Sequence, residues 1–318
     1  MSKQDSVKVT VVIPTFNAGS YIVQAIESVL HQTQQNFEII VCDDQSADNT
    51  VAIVQAMASN DCRIKLLINN LNKGPSYCRN RAISEANGEW IAILDADDFY
   101  HQDRLHQLIA IGELNNADFV ADNIFYVDIN GKNPNVAISV TTPNDDLKIL
   151  TITTFIENNY PTKIGFKYGY LKPIIRRSFL RGKKILYNED VRLGEDFVLY
   201  VECLIKGAVF LLTSQSYYYY RVIEKSLSRT GNDSSYKELS DNNLKLIDIA
   251  RISGDKTAVK ALEKRQTNYD KLIIYIDTIR LIKHGCFYVA TKNLLANPSA
   301  WTTCFTLSCR YIKKVLVK

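Results

Sequence analysis

The acidic run at positions 95–98, Asp95-Ala96-Asp97-Asp98, is the part of the sequence whose chemistry is most specific. It directly follows the apolar segment 90–94. Carboxylates this close repel one another, so their ionisation needs a cation or hydrogen-bond donors to compensate. Hard divalent cations such as Mg²⁺ and Mn²⁺ prefer carboxylate and phosphate oxygens. The run therefore indicates a metal that bridges to a diphosphate, although Asp98 is equally suited to cap a helix predicted at 102–111.

Two more groups of polar residues lie close to the ends of apolar segments. Asp43 and Asp44 end the segment 37–42, where a carboxylate can accept a hydrogen bond from a base N–H or a ribose hydroxyl. Lys73 and Arg79 lie near a Gly-Pro turn and can contact a base or a phosphate. Helix capping explains the acids as well. A turn and a solvated helix face explain the basic residues, so both interpretations stay open.

A third candidate, Glu195 with Asp196, begins a segment that has helical spacing at 195–206. Acidic residues at a helix N-terminus are favoured by the helix dipole. The same carboxylates can serve as a general base, because a hydroxyl nucleophile needs a proton acceptor within hydrogen-bond reach. The pair is therefore either a structural helix start or a catalytic site.

The elements that position the first two groups follow a regular alternation. Continuous β-branched runs predict buried parallel strands, and apolar residues three or four positions apart predict helices. We expect strands at 7–13, 37–42, 63–68 and 90–94, and helices at 20–32, 49–59 and 76–86. This alternation predicts a parallel sheet with helices on its faces. Ligands bind beyond the carboxyl ends of such strands, which is where the acidic residues lie.

The pattern is less regular after residue 114. We expect strands at 118–127, 208–212 and 216–220, and long helices at 236–252 and 256–283. The predicted fold class is therefore α/β, a mixed sheet flanked by helices, with a C-terminal helical extension.

Composition excludes several classes of protein. The 318 residues include 38 basic and 34 acidic side chains, and a net charge of +4 is too balanced for a protein whose main partner is nucleic acid. The seven cysteines form no CxxC pair, which predicts reduced thiols and no zinc site. We find no signal-peptide pattern and no apolar membrane span, so we expect a cytoplasmic location.

Taken together, the motifs resemble those of the family 2 glycosyltransferases of the GT-A fold. The resemblance covers about residues 9–229. It rests on VVIPTFN (11–17), SVLHQT (28–33), VCDDQS (41–46), NKGPSYCRNR (72–81), LDADD (94–98), ED (195–196), and YR with SLS (220–221, 226–228). The segments GYLKPIIRR (169–177) and RLGED (192–196) further resemble succinoglycan-type exopolysaccharide glucosyltransferases.

The resemblance implies a Rossmann-like nucleotide-diphospho-sugar transferase with three regions. Residues 1–114 would form the nucleotide-sugar-binding half of the GT-A domain. Residues 115–230 would form the acceptor-binding half, and residues 231–318 a C-terminal helical region.

Individual residues also take roles from the resemblance. Nucleotide binding would involve Pro14, Thr15, Asn17, Asp43, Asp44, Lys73, Arg79, Asp95 and Ala96. Within this set, Asp44 would bind the uracil. The metal ligand would be Asp97 or Asp98. Asp196 would be the catalytic base, and its neighbour Glu195 would belong to the same catalytic site.

The sequence departs from the family pattern at three places. Gln45 stands where Gly is usual, and Tyr77-Cys78 stands where small residues are usual. Ile223 occupies the position at which many relatives have His, which argues against a histidine contact to the diphosphate. Arg221 or Arg229 would then supply that positive charge.

The implied activity is the transfer of a sugar, glucose by the subfamily likeness, from a UDP-sugar to an acceptor hydroxyl, with inversion at the anomeric carbon. The cofactor would be Mn²⁺ or Mg²⁺. The acceptor would be a growing surface polysaccharide, linked to a lipid such as polyprenyl diphosphate. The basic and partly apolar tail 301–318 is either a helix on the inner face of the cell membrane, which would make the protein peripheral, or a helix docked on the protein.

Other functional classes fit less well. A dinucleotide oxidoreductase would need a GxG motif and a P-loop enzyme a GK[ST] motif, and the sequence has neither. A phosphatase of the haloacid dehalogenase type would have its acids after the first strand rather than the fourth. The alternative that stays open is a non-catalytic nucleotide- or sugar-binding protein of the same fold. Its expected mark is the loss of the strand-end acids, and here all of them are present.

Overall fold

The computed structural model describes residues 7–136, 146–163, 165–223, 233–302 and 305–307. Predictions that concern Arg229, the SLS segment 226–228 and the basic residues of the tail lie outside the described residues.

Strands and helices alternate through the first 100 residues. The elements are β1 (Val9–Thr15), α1 (Ile22–Leu30), β2 (Phe37–Asp43), α2 (Thr50–Asn60), β3 (Ile64–Ile68), α3 (Pro75–Glu85) and β4 (Trp90–Ile93). β1 pairs in parallel with both β2 and β4, and β2 pairs in parallel with β3. Every residue of β1 is buried, because the strand lies inside the sheet with helices on both faces. The predicted α/β fold is confirmed.

The second half of the chain makes the sheet mixed. Its elements are β5 (Phe99–Tyr100), α4 (Arg104–Leu114), β6 (Phe119–Val127), β7 (Asn135–Val136), β8 (Leu147–Ile149), α5 (Ile152–Glu157), β9 (Ile174–Arg176), α6 (Arg177–Lys183), α7 (Glu195–Ile205) and β10 (Phe210–Arg221). The strand order is β3-β2-β1-β4-β9-β6-β10-β5, with β7 beside β6 and β8 beside β10. β9 is antiparallel to both β4 and β6, so it joins the two halves of the sheet.

A single strand, β10, replaces the two strands predicted at 208–212 and 216–220, so that prediction is wrong. The register of β10 against β6 shifts between Leu212 and Ser216, and again between Ser216 and Tyr218. Such a bulge interrupts the alternation of side chains without ending the strand. One long strand therefore has the sequence pattern of two short ones.

Three helices, α8 (Asp233–Ser253), α9 (Lys256–Lys283) and α10 (Phe287–Ala296), follow the sheet. Leu246 of α8 and Leu262 of α9 are fully buried in the same apolar core as Phe119 of β6. Helices α8 and α9 therefore pack on the sheet domain, and both contribute residues to the cavity described below. Within the described ranges, no helix has both the length and the apolar character needed to cross a membrane.

Candidate functional site

A cavity of about 890 Å³ opens at the carboxyl ends of β1, β2 and β4. Its volume lies in the range usual for small-molecule sites, and its position is the one expected for a ligand of an α/β sheet. Of the predicted site residues, it is lined by Pro14, Thr15, Asn17, Asp44, Arg79, Asp95, Ala96, Asp97, Glu195 and Asp196. Four other predicted residues, Asp43, Lys73, Asp98 and Arg221, do not line it.

Asp44 organises the turn before α3. One of its carboxylate oxygens accepts hydrogen bonds from the Lys73 N–H at 2.9 Å and from the Asn69 amide at 2.8 Å. The other oxygen accepts the N–H of Gly74 at 2.7 Å, where a φ of +86° suits glycine. The carboxylate also lines the cavity, so contact with a nucleotide base would share oxygens that already hold the turn.

Asp43 stabilises the loop that contains Ser46. Its two oxygens accept the N–H of Ser46 at 2.9 Å and the hydroxyl of Ser46 at 2.5 Å. The Ser46 oxygen in turn accepts the N–H of Asn17 at 2.8 Å. Asp43 therefore positions the cavity wall. Nearby Thr15 lines the cavity with a buried hydroxyl that has no hydrogen-bond partner in the described structure, and that hydroxyl is free to bind a ligand.

The centre of the cavity is a network of buried charges. Asp95 contacts Arg79 at 3.0 Å through one oxygen and Lys172 at 2.7 Å through the other. The same Arg79 contacts Glu195 at 2.8 Å, and the same Lys172 contacts Asp196 at 2.8 Å. Two cations therefore link the end of β4 to the first turn of α7.

These contacts fix the charge state of the network. Burial by itself would raise the pKa of Asp95, but the charges of Lys172 and Arg79 outweigh burial and hold that pKa well below its usual range. Burial would likewise lower the pKa of Lys172, yet Asp196 and Asp95 hold it well above its usual value. The ammonium and the Asp95 carboxylate consequently stay charged across the physiological pH range.

Asp196 offers one free carboxylate oxygen to the cavity. Its Oδ2 accepts a hydrogen bond from the Lys172 ammonium, whereas Oδ1 is buried without a hydrogen-bond partner in the described structure. The Arg79 Nη1 lies 4.0 Å from Oδ1. A buried carboxylate oxygen that lacks a donor is costly, and a hydroxyl bound in the cavity would relieve that cost.

The last two acids of the run 95–98 have different surroundings. Asp98 accepts the hydroxyl of Tyr218 at 2.7 Å and the N–H of Arg221 at 2.8 Å. Burial, together with the charge of Asp97, raises the pKa of Asp98 well above its usual value. Helix α4 begins at Arg104, so the interpretation of Asp98 as its cap is wrong.

Asp97 is the acid that can receive a cation. It is half-buried and lines the cavity, and among the described residues no Lys or Arg nitrogen lies within 4 Å of its carboxylate. Burial and the charge of Asp95 raise the pKa of Asp97 to about 6. The described residues contain no group of three or more metal-ligating side chains. A cation here would therefore take ligands from Asp97 and from the bound substrate, which is a donor set that suits Mg²⁺ or Mn²⁺.

Arg221 stabilises the loop that carries the acidic run. Its guanidinium donates to the carbonyl oxygens of Asp97 at 2.7 Å and Ile129 at 2.5 Å, and to the Gln24 side chain at 2.6 Å. The residue is buried and outside the cavity lining. The guanidinium of Arg221 therefore bonds to the loop that carries Asp97. Ile223, and not Arg221, lines the cavity.

Several residues that line the cavity were not predicted from the sequence. Lys172 lies within the quoted segment 169–177, so the resemblance contained a signal for it. Lys167, Arg265 and Tyr269 lie outside every motif, and the sequence holds no signal that separates them from other polar residues. Helix α9 contributes Arg265 and Tyr269, and only the fold brings them to the cavity.

Comparisons with known proteins show the family of the chain. The model for "Glycosyl transferase family 2" matches residues 10–181. "Succinoglycan biosynthesis protein ExoO" of Rhizobium meliloti (strain 1021) is 31% identical over 92% of this chain and 82% of its own length.

Two further similarities involve proteins whose names state a ligand or a reaction. Escherichia coli WfgD, named as a UDP-Glc:alpha-D-GlcNAc-diphosphoundecaprenol beta-1,3-glucosyltransferase, is 40% identical over 37% of this chain and 46% of its own length. The crystal structure of S. aureus TarS 1-349 in complex with UDP-GlcNAc aligns with a TM-score of 0.61 at 21% identity, over 84% of this chain and 80% of that one.

Proposed function

The chain belongs to glycosyl transferase family 2, as its sequence motifs predict, and from this premise we propose that it moves glucose from UDP-glucose to a hydroxyl of a lipid-linked saccharide. The UDP-sugar is supported by the TarS complex, whose fold this chain shares. The lipid-linked acceptor and glucose are supported by the name of WfgD. A role in building a surface polysaccharide is supported by the similarity to ExoO.

The observation that carries the proposal is the free oxygen of Asp196 at the wall of the cavity. In the proposed reaction, the acceptor oxygen attacks the anomeric carbon while the bond from that carbon to the diphosphate breaks. Asp196 Oδ1 takes the proton of the acceptor hydroxyl. Lys172 holds the other oxygen in place. A single displacement of this kind inverts the anomeric carbon and needs only one base, as in inverting hydrolysis.

Charge explains why we propose a divalent cation as cofactor. Four carboxylates, Asp95, Asp97, Glu195 and Asp196, line the centre of the cavity, against the two cations Arg79 and Lys172. A donor diphosphate would add further negative charge. We propose that Asp97 holds Mn²⁺ or Mg²⁺, which when bound would offset the charge that develops on the leaving diphosphate. Arg79 and Lys172 would orient the acids around it.

Substitution of Asp196 by Asn tests the base. The Asp196→Asn variant keeps the shape of the side chain but cannot accept the proton, so we expect sugar transfer to fall by about 10² to 10⁴. UDP affinity, measured by calorimetry with Mn²⁺ present, should stay close to that of the wild type. The matched control is Asp190→Asn, which changes an exposed acid near α7 and should leave both quantities unchanged.

Two outcomes would count against the proposed function. Equal transfer by the wild type and Asp196→Asn would remove the base assignment. Tight UDP binding without transfer or hydrolysis of any UDP-sugar would favour the alternative, a non-catalytic nucleotide-binding protein of the same fold.

We also propose that the protein contacts the inner face of the cell membrane through its C-terminal helices. The side chains of Phe287, Tyr288 and Val289 at the start of α10 are 63%, 80% and 50% exposed. Trp301 and Phe305 are 50% and 73% exposed a few residues further on. Exposed apolar clusters of this kind are typical of interaction surfaces, and a lipid-linked acceptor would be reached from such a surface.

A further inference from the structure

Two basic residues line the cavity on elements other than the loops that follow β1, β2 and β4. Lys167 precedes the 3-10 turn Tyr168–Tyr170, and Arg265 lies in the first half of α9. Both line the cavity. The cavity-lining carboxylates are Asp44 and the four acids of its centre, and none of them forms an ion pair with either residue in the described structure.

Arg265 is buried among neutral partners. Its guanidinium donates to the carbonyl oxygen of Asn159 at 3.2 Å, to the side-chain oxygen of Asn243 at 2.8 Å and to the hydroxyl of Tyr269 at 2.8 Å. Its carbon lies 3.8 Å from the centre of the Phe197 ring. These contacts hold the group in one position but leave its charge uncompensated, and a buried uncompensated charge is costly.

Lys167 adds a second positive charge to the wall of the cavity that Arg265 lines. Both residues line the same cavity. Burial lowers the pKa of Lys167, and the positive charge of Arg265 lowers it further. A shared scaffold fixes them, because Asn159 accepts the N–H of Gly169 at 2.7 Å with its side chain and the Arg265 N–H with its carbonyl. Two like charges held together without a carboxylate are the arrangement that an anion stabilises.

Helix α7 connects Arg265 to the proposed catalytic centre. The ring beneath Arg265 belongs to Phe197, the residue that follows Asp196 in α7. An anion at Lys167 and Arg265 would therefore lie next to the turn of α7 that carries the proposed base. Such an anion belongs to the acceptor, since the donor's diphosphate has its own proposed place beside Asp97.

We propose that Lys167 and Arg265 form a subsite for a phosphoryl group of the acceptor, close to the sugar whose hydroxyl attacks. This subsite rests on the proposed function and deepens it. It assigns the enzyme an acceptor of a defined class, a short saccharide attached directly to a lipid diphosphate. A long neutral saccharide would carry its phosphate far from this position.

Binding of farnesyl diphosphate tests the subsite without any sugar transfer. The full chain is first saturated with UDP and Mg²⁺, so that the donor site cannot accept the probe, and this step separately tests the proposed function. Farnesyl diphosphate is then titrated by calorimetry, with farnesol as the neutral control. We expect Lys167→Met to weaken farnesyl diphosphate binding by about tenfold or more, with UDP affinity unchanged and with binding largely retained by Lys167→Arg.

The matched control is Lys163→Met, which removes an exposed lysine four residues earlier in the chain. Lys163→Met should bind farnesyl diphosphate like the wild type. Equal binding by Lys167→Met and Lys163→Met would overturn the subsite, and so would farnesol that binds as tightly as farnesyl diphosphate. If UDP fails to bind while the diphosphate still depends on Lys167, the proposed function fails and the anion site stands.

Discussion

At the scale of single residues, the acids of the run 95–98 show how neighbouring carboxylates acquire separate roles. Asp95 is paired with Arg79 and Lys172 and stays charged. Asp98 is buried, and both of its oxygens are occupied by hydrogen-bond donors. Asp97 alone faces the cavity without a cationic partner among the described residues. The path of the chain after β4 determines which partners each carboxylate meets. The spacing of the acids in the sequence does not predict that path.

Comparison of Asp97→Asn with Asp98→Asn separates the two candidate metal ligands. Asp97→Asn removes the charge that would hold the cation, so we expect UDP affinity in the presence of Mn²⁺ to fall by about tenfold or more. UDP affinity without metal should change little. Asp98→Asn alters contacts to Tyr218 and Arg221 instead. It should lower the melting temperature and largely preserve the effect of Mn²⁺ on UDP binding, as measured by calorimetry.

The reverse result would reassign the metal. If Asp98→Asn abolishes the Mn²⁺ effect while Asp97→Asn keeps it, Asp98 must turn into the cavity when substrate binds. If neither variant changes the Mn²⁺ effect, the acidic run does not hold a cation.

The sequence identified the strand-end acids because they follow recognisable apolar runs. It did not identify Lys172, Lys167 or Arg265, whose partners lie far away along the chain. Lys172 is brought to Asp95 by β9, which inserts beside β4. The quoted segment 169–177 contains Lys172, but no local pattern links that lysine to Asp95, so only the tertiary fold shows this contact.

At the scale of elements, the first half of the fold follows closely from its sequence pattern. β2, β3 and α3 begin and end within one residue of the predicted bounds. For β2 the reason is that a parallel strand buried on both faces gives a continuous apolar run. β10 lies outside this rule. Its bulge and its changing partners, β8 at one end and β5 at the other, disturb the period that sequence reasoning depends on.

Gly88 permits the chain to pass close to β1 before β4 begins. A Cβ atom at this position would lie 2.3 Å from the backbone nitrogen of Thr10 and 2.6 Å from the carbonyl carbon of Val9. The backbone of a buried central strand cannot move aside cheaply. We therefore expect Gly88→Ala to lower the free energy of unfolding by about 1–3 kcal/mol, or more if the strand shifts, as measured by urea denaturation.

Gly182 provides the matched control for the same substitution. It lies within α6, and a Cβ atom there would meet no atom within 4 Å. Alanine is the better helix former, so Gly182→Ala should raise the free energy of unfolding by up to about 1 kcal/mol. Equal effects of the two substitutions would show that the close approach at Gly88 does not constrain the sheet.

At the scale of the whole molecule, the C-terminal helices serve the site as well as the core. Tyr236 of α8 and Tyr269 of α9 line the same cavity as Thr15 of β1. Helix α10 and the 3-10 turn Pro298–Ala300 that follows it both pack on α9, and Ala290 and Ala300 are buried there. The exposed apolar side chains at the start of α10 therefore belong to a helix that packs on α9, which lines the cavity. A lipid that leaves the proposed phosphoryl subsite would need an apolar surface of this kind nearby.

Sedimentation with lipid vesicles tests whether that surface meets a membrane. The variant replaces Phe287, Tyr288 and Val289 by Ser, which removes exposed apolar side chains and leaves the basic tail intact. Each large apolar side chain that enters a lipid surface contributes about 1.5–3 kcal/mol when fully buried, and partial insertion contributes less. We expect the triple variant to bind phosphatidylglycerol vesicles about tenfold or more weakly than the wild type.

The control for exposure alone is Leu114→Ser, because Leu114 is 85% exposed at the end of α4, on a different part of the chain. It should bind the vesicles like the wild type. Wild-type binding should also be stronger to phosphatidylglycerol than to phosphatidylcholine, since the residues 301–318 carry four basic side chains and no acidic one. If the triple variant binds as the wild type does, the apolar surface of α10 is not the membrane contact. If the wild type binds neither vesicle, the proposed contact with the membrane is wrong.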